Sequence, residues 1–261
     1  MDILMAADSP IRLKCFTPDS DPIAYLGHLR LKYEVFVAEQ RWPLESLPSS
    51  RLTVAVPSDR HAYFVQASAN NEVVGTVRGS MLHESFPHQE ILRHHLEPGG
   101  LPLERDELAT LNAIAVRAGF RGQRLPIAGF PQPLTIAKAM VCELVDWSRE
   151  LGAVAVIFTA VLGVSSVFFE HLGAYVIDPK FQMHDGKATA VVNMAIMTVD
   201  PERFDERHSP LSIRCPRRPL NDLQRACIDY CRTRHRAILG GRTIEQLSFE
   251  SDSPCSFTAE P

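Results

Sequence analysis

The stretch 107-ELATLNAIAVRAGFRGQR-124 decides the fold that the sequence predicts. Its first ten residues are mostly apolar, which is typical of a buried strand. After this strand, Gly119 and Gly122 alternate with Arg121 and Arg124. Glycines let the backbone approach an anion closely, and guanidinium groups add charged donors. We therefore expect an anion-binding loop at the end of this strand.

The loop runs into a proline-rich insert, 125-LPIAGFPQP-133, before a helix begins. The helix is predicted over 133–152, with Pro133 in its first position and Gly152 just beyond its end. Because proline has no amide hydrogen, the insert leaves fewer backbone donors for an anion than a helix that follows the loop directly. We expect the insert to weaken or reshape the anion site.

Hydrophobic periodicity elsewhere predicts a mixed sheet flanked by helices, an α/β (α+β) arrangement. The predicted strands are 11–16, 62–68, 73–82, 107–116, 154–160, 174–178 and 188–199. The other predicted helices are 22–40, 164–173 and 220–239, with a short helix within 83–104. In the first of them, three- and four-residue spacing predicts one apolar face, formed by Ile23, Leu26, Leu29, Tyr33, Phe36 and Val37.

Composition divides the chain of 261 residues into three parts. Residues 1–200 form the predicted domain, 201–247 a C-terminal helical extension, and 248–261 a disordered tail rich in Ser, Pro and acidic residues. The extension begins with a segment rich in Pro and Arg, and its helix is stopped by Gly240 and Gly241.

Charge and composition exclude several classes of function. The net charge of -4 gives no global basic field, so we expect neither nucleic acid nor an anionic membrane as partner. The apolar runs are far shorter than the roughly 20 residues of a membrane span, and the N-terminus does not resemble a secretory signal. We expect a cytoplasmic protein whose six cysteines are free thiols. No metal site is expected, because His94 and His95 are adjacent and would point apart on a helix.

The order of these elements resembles the GNAT acyltransferase superfamily. Its motif V-x-P-x-[YF]-R-G-x-G-x-[GA], which binds the acyl-CoA pyrophosphate, is similar to 116-VRAGFRGQR-124, and its later motif F-Y-x-x-x-G-F is similar to 168-FFEHLGA-174. The resemblance covers roughly residues 11–199 and implies a mixed, mostly antiparallel central sheet. Arg124 stands where many members have a second glycine, and Phe168 or Phe169 stands where the family has the Tyr that acts as general acid.

One branch of the superfamily, the acyl-homoserine-lactone synthases and their N-acyl amino acid synthase relatives, fits the N-terminal half better. Its R-x-x-V-F-x-x-x-x-x-W pattern resembles 30-RLKYEVFVAEQRW-42, with Arg30 displaced. Arg78 matches the basic residue of the hairpin, and Glu107 the first residue of E-x-[ST]-R, whose Arg is Thr110 in this chain. Asp59 alone represents the acidic pair of that branch.

The resemblance implies a division of roles among the residues. Glu107 is the candidate general base, unless it belongs to the solvated run 104-ERDE-107. Ser165 is either a helix N-cap or a hydrogen-bond donor to the thioester. The residues expected to hold the donor are Leu111, Asn112, Ala113, Ile114, Ala115 and Val116 at the pantetheine arm, and Gly119, Arg121, Gly122, Gln123, Arg124 and Leu125 at the pyrophosphate. The residues expected at the substrate are Arg30, Phe36, Trp42, Arg78 and Phe168; Phe36 and Trp42 are equally compatible with a core position.

The expected function is transfer of an acyl group from an acyl-CoA or acyl-carrier-protein thioester to the amine of a small metabolite, giving an N-acyl amino acid or an autoinducer-like product. An acetyl-CoA-dependent N-acetyltransferase is an alternative, and a non-catalytic GNAT-like binding module is another. Four arginines, Arg225, Arg232, Arg234 and Arg236, make the C-terminal helix basic. That helix either docks an acidic acyl carrier protein or presents a solvated face.

Overall fold

Seven strands form one sheet in the computed structural model, which describes residues 11–39, 57–82, 89–161, 173–185, 188–200 and 219–240. The strands are β1 (Arg12–Phe16), β2 (Tyr63–Ala69), β3 (Glu72–Met81), β4 (Leu108–Val116), β5 (Ala155–Val161), β6 (Tyr175–Asp185) and β7 (Ala188–Thr198). Their order across the sheet is β1-β2-β3-β4-β5-β7-β6. Within this sheet only β4 and β5 run parallel, so the expected mostly antiparallel sheet is confirmed.

Four α-helices accompany the described part of the sheet. They are α1 (Pro22–Lys32), α2 (Gln89–His95), α3 (Ile136–Glu150) and α4 (Asp222–Leu239). A π-helical stretch, Tyr33–Glu39, continues α1 and is called the π segment below. Asp21 caps α1, since its side chain accepts a hydrogen bond from the Ala24 amide at 2.9 Å.

Helix α3 covers one face of the sheet, and two glycines of β3 allow its close approach. A Cβ on Gly75 would stand 2.6 Å from the Ile136 side chain, and one on Gly79 would stand 2.5 Å from the Tyr63 ring. The buried side of α3 packs on apolar residues of β2, β3, β4 and β5 to make the larger core. A hydrogen bond of 2.6 Å between the hydroxyls of Tyr63 and Ser148 fixes α3 over β2.

The opposite face of the sheet is covered by two separate groups of elements. Helix α1 and the π segment lie over β2, β3 and β4. Helix α4 lies over β6 and β7, and its Cys227 and Cys231 are buried in a second core with Ile177 and Met194. The predicted C-terminal extension therefore contributes directly to the packing of the domain. The four cysteines in the described ranges, Cys15, Cys142, Cys227 and Cys231, are not joined in disulfides.

Two features of the helices differ from the sequence prediction. Helix α1 buries the side that carries Ala24, His28, Leu31 and Lys32, whereas Ile23 is 82% exposed. The periodicity of apolar residues missed this face because its buried side chains include a histidine and a lysine. Leu26, also predicted on the buried face, is exposed as well, while Leu29 is buried.

The start of α3 is the second difference, because the helix begins at Ile136 rather than at Pro133. Thr135 is its N-cap and accepts from the Lys138 amide at 3.4 Å. Leu134 is engaged in backbone pairing with Leu125, which delays the first helical turn. Residues 164–172 of the predicted helix 164–173, and the tail 248–261, lie outside the described residues.

The glycine at position 79 gives a direct test of this packing. We expect Gly79→Ala to lower the free energy of unfolding by about 1–3 kcal/mol, because the new methyl group overlaps the Tyr63 ring and Leu144. Gly119→Ala is the matched control: its Cβ meets no atom within 4 Å, so a change below about 0.5 kcal/mol is expected. Urea denaturation measures both, and equal midpoints would contradict the packing described.

Candidate functional site

Strands β4 and β5 separate midway along the sheet. Their pairing runs from Leu108 with Ala155 to Leu111 with Phe158, while β5 continues to Val161 alongside β7. Beyond Leu111, the edge of β4 that faces β5 pairs with no strand in the described part of the chain. Such an edge offers free amide and carbonyl groups to an extended ligand. This is where the sequence places the pantetheine contacts of residues 111–116.

A bulge in β4 accompanies the divergence. Ala113 has a φ of 51°, and the pairing with β3 shifts between Arg78 with Asn112 and Thr76 with Ala115. A bulge leaves one residue unpaired and bends its strand. Asn112, Ala113 and Ile114 are partly exposed, whereas Leu111, Ala115 and Val116 are buried. The exposed part of the expected pantetheine site thus coincides with the bulge.

The anion loop follows β4 through a short 3₁₀ turn, Ala118–Phe120. Gly122 has a φ of 70°, a conformation that favours glycine, and Gly119 has open space around its α-carbon. The Gln123 side-chain amide donates to the Gly119 carbonyl at 2.7 Å, which closes the loop on itself. Arg124 is exposed. The loop therefore has the exposed backbone and charge that an anion site requires.

The proline-rich insert forms a small closed loop at the base of the site. Leu125 and Leu134 exchange two backbone hydrogen bonds of 2.9 and 3.0 Å, which join the two ends of the insert. Between them, Ile127 is buried and pairs with Ile11 next to the edge strand β1. The insert thus covers the edge of the core beside β1. Residues Gly119–Leu125 remain a separate loop at the surface.

A buried polar cluster lies between α1 and β3, on the face of the sheet opposite α3. Arg78 donates from Nε to the Asp59 carboxylate at 2.7 Å, and both side chains are almost fully buried. The Tyr25 hydroxyl donates to the other oxygen of Asp59 at 2.8 Å. Burial, together with the hydrogen bond to Asp59, raises the pKa of Tyr25, so the phenol stays protonated.

His28 and Lys32 complete this cluster, one helical turn apart on α1. His28 Nδ1 and Thr76 Oγ1 form a hydrogen bond of 2.8 Å, while the buried His28 Nε2 has no hydrogen-bond partner among the described residues. Burial lowers the pKa of His28 to about 3, so this imidazole is neutral. Burial also lowers the pKa of Lys32, whose charge is partly offset by Asp59.

Cationic groups therefore outnumber acids in this polar cluster. Arg78 and Lys32 are its two basic side chains, whereas Asp59 supplies the one carboxylate that the described residues contribute. A buried excess of positive charge is costly unless an anionic group offsets it. The cluster is consequently suited to a carboxylate or phosphate of a bound molecule.

A row of polar residues extends from the cluster across the same face of the sheet. Ser80 and Thr110 join their hydroxyls at 2.9 Å, and Asn112 donates to the Thr110 hydroxyl at 3.2 Å. Arg78 pairs in register with Asn112, so the row lies on the face of the cluster. It connects the start of β4 to the point where β4 and β5 diverge.

Glu107 directly precedes β4, at the end of the 3₁₀ turn Arg105–Glu107. Its carboxylate accepts from the Glu104 amide at 2.8 Å, and the side chain is partly exposed. The five residues to Asn112 correspond to roughly 16 Å of strand. The structure thus gives Glu107 a role in capping its own turn, and its role as base stays a prediction.

The structure brings Arg78 into the cluster but leaves Arg30 out of it. Arg30 is exposed on α1, whereas Lys32 is buried beside Asp59 and Arg78. Two residues correspond to about 200° around an α-helix, so the two cations lie on opposite sides. Arg30 therefore lies outside the cluster, and its assignment to the substrate stays a prediction. Tyr25, His28 and Lys32 recur at three- and four-residue intervals, and this polar periodicity is the signal that would have identified the cluster.

Of the other predicted site residues, one lies in the π segment and three lie outside the described residues. Phe36 is partly buried and packs with Leu31 and Val35 against Ala115 of β4. Trp42, Ser165 and Phe168 lie outside the described residues. The basic face of α4 is partly neutralised, since Arg225 pairs with Asp222 and Arg232 with Asp229.

Neither a metal nor a membrane site stands out in the described ranges. No group of three or more metal-ligating side chains comes together there. None of the described helices is long and apolar enough to cross a membrane.

Comparison with known proteins identifies the fold through structure alone. No protein-family model and no curated protein matches the chain. BjaI, a CoA-dependent acyl-homoserine lactone synthase solved with SAM and isopentyl-CoA, superposes with a TM-score of 0.55 at 16% identity, over 83% of this chain and 98% of that one.

Two further solved structures give the same result. TofI, in a ternary complex with an inhibitor and MTA, has a TM-score of 0.52 at 17% identity, over 72% of this chain and 92% of that one. MesI, a second CoA-dependent acyl-homoserine lactone synthase, has a TM-score of 0.51 at 17% identity, over 74% of this chain and 90% of that one. The fold expected from the sequence resemblance is confirmed.

The neutral, buried His28 makes the stability of the protein depend on pH. Its folded pKa lies below the value of about 6.5 in the unfolded chain, so the unfolded state binds the extra proton as the pH falls from 6.5 towards 3. Between pH 6.5 and pH 5, His28 alone is expected to remove about 1.5 kcal/mol of unfolding free energy.

Urea denaturation of His28→Gln at both pH values checks this expectation, since Gln cannot take up the proton. The unfolding free energy that is lost between pH 6.5 and pH 5 is expected to be about 1.5 kcal/mol smaller in this variant than in the wild type. His94→Gln, at a side chain that is 79% exposed, is the control and should follow the wild type. A wild-type pH dependence in His28→Gln would show that His28 is not held neutral.

Proposed function

We propose that this chain is an N-acyltransferase that moves an acyl group from a CoA or acyl-carrier-protein thioester to the amine of a small, carboxylate-bearing metabolite. One observation carries the proposal: β4 leaves β5 after Leu111, beside a buried cluster that contains the basic side chains of Arg78 and Lys32. The first feature suits an amide-containing donor and the second an anionic acceptor. The fold shared with CoA-dependent acyl-homoserine lactone synthases supports both assignments.

The donor would lie along β4 from Leu111 to Val116. Its pantetheine amides would pair with the free edge of the strand, as another strand would. Residues Gly119 to Leu125 would then meet the phosphates, with Arg124 as an exposed cation. The bulge at Ala113 turns the strand where the thioester would lie.

The acceptor would place its carboxylate against Arg78 and Lys32. Its amine nitrogen attacks the thioester carbonyl carbon, a new C–N bond forms and the C–S bond breaks. The thiolate leaves and takes up a proton from solvent, and the amine loses one proton. Glu107 is proposed to accept that proton through water.

A donor other than acetyl-CoA is favoured by the anion loop. Arg124 stands in place of a glycine, and α3 begins only at Ile136, after the closed insert. The amides at the start of α3 are therefore separated from Gly119 and Gly122 by the whole insert. Ser165 and Phe168 are proposed to contact the thioester and the acyl chain, and Trp42 the acceptor side.

Thiol release from a panel of acyl-CoA and acyl-carrier-protein thioesters, with amino acids as acceptors, tests the function. We expect release with at least one donor of medium or long chain, and a fall in kcat of about 10²–10⁴ in Glu107→Gln, as for the loss of a general base. The neighbouring Asp106→Asn is the control and should keep the wild-type rate. Release with acetyl-CoA alone indicates an N-acetyltransferase, and ligand binding without release indicates a non-catalytic module.

Substitution of two basic residues of α1, Lys32 and Arg30, tests the proposed acceptor site. Lys32→Met is expected to raise KM for a carboxylate-bearing amine by about tenfold or more, because a charge-assisted hydrogen bond is lost, and to leave KM for an uncharged amine nearly unchanged. Arg30→Met removes an exposed charge of the same helix and should alter neither value. Equal effects of the two substitutions would contradict the proposed acceptor site.

A further inference from the structure

The two arginines nearest the end of β4 are already bound to carboxylates of the π segment. Arg121 forms a bidentate ion pair with Glu39, one contact of which is 2.7 Å, and its Nε donates to the Val116 carbonyl at 2.6 Å. Arg117 forms a bidentate pair with Glu34 at 3.1 and 3.2 Å and also contacts Glu72 at 3.2 Å. The loop expected to bind an anion therefore already holds an internal one.

The π-helical winding accounts for this double attachment. Glu34 and Glu39 are five residues apart, and the i→i+5 hydrogen bonds of a π-helix bring such residues to one side. In an α-helix the same two residues would lie about 140° apart and could not both face β4. The two ion pairs and the unusual winding thus support each other.

The two ion pairs differ in how readily they can be exchanged. Arg121 and Glu39 are both substantially exposed, at 37% and 40% of their side-chain surface, and Glu39 is the one acid that pairs with Arg121 among the described residues. Arg117 has two acids, and one of them, Glu72, belongs to β3 rather than to the π segment. Exposed ion pairs stabilise weakly, so a ligand phosphate with more charge and more acceptor oxygens can replace Glu39 at Arg121.

We infer that Glu39 occupies a donor-phosphate position in the free protein and is displaced from Arg121 when the donor binds. The inference rests on the proposed donor site and adds a competing group to it. Arg117 would remain paired with Glu34 and Glu72. Only the half of the π segment that ends at Glu39 would therefore be released from the anion loop. Because Phe36 lies between Glu34 and Glu39 and packs against the cluster that contains Ala115 of β4, donor binding changes the environment of Phe36.

Isothermal titration of the full chain with CoA and, separately, with inorganic pyrophosphate tests the exchange. Glu39→Gln is expected to bind both probes about threefold to tenfold more tightly, because a competing charge is removed from an exposed pair. Glu39→Asp keeps the carboxylate and should remain near the wild-type affinity. Glu34→Gln is the matched control, since Arg117 retains Glu72, and should stay within about twofold of the wild type.

The outcomes separate this inference from the proposed function. Equal or weaker binding of both probes by Glu39→Gln overturns the exchange, because a merely supporting glutamate would weaken the site when removed. If pyrophosphate binds more tightly to Glu39→Gln while no thioester releases thiol, the exchange stands and the proposed acyl transfer is wrong. If a thioester releases thiol while Glu39→Gln binds both probes with the affinity of the wild type, the proposed acyl transfer stands and the exchange is wrong.

Discussion

The divergence of β4 from β5 is the constraint on which the rest of the structure depends. The two strands pair in parallel from Leu108 to Leu111 and then separate, while β5 remains paired with β7. Within the described ranges no strand pairs with that edge of β4 beyond Leu111, and the backbone groups of such an edge are suited to pairing with an extended ligand. The bulge at Ala113 bends β4 at the same place, and the anion loop continues directly from its end.

Buried charge links this edge to α1. Arg78 on β3 is neutralised by Asp59, which also accepts from Tyr25 of α1, and His28 on the same helix bonds to Thr76 of β3. These contacts fix α1 on the sheet through polar side chains in addition to its buried apolar residues. A buried charge needs a partner, which Asp59 supplies to Arg78; the proposed acceptor carboxylate would be a further partner for Arg78 and Lys32.

The π segment connects the polar cluster to the anion loop. It begins directly after Lys32 and ends at Glu39, which is bound to Arg121 of the loop. Arg117, directly after β4, pairs with Glu34 near the start of the segment and with Glu72 at the start of β3. The proposed donor and acceptor sites are therefore joined by a short stretch of chain that carries two ion pairs, and the proposed exchange of anions would act on this stretch.

The sequence alone determined the order of the described strands and helices, because periodicity, glycine and proline act locally along the chain. It also led to the expected anion loop at Gly119–Arg124 and to the expected role of Arg78, which stay predictions. It did not identify Lys32 or His28, and it placed Ile23 and Leu26 on a buried face. Only the tertiary structure decided these points, since the buried side of α1 is set by charged partners on β3 and near Asp59, which are distant in sequence. The same holds for Arg121: the sequence shows a free cation, and the fold brings Glu39 to it.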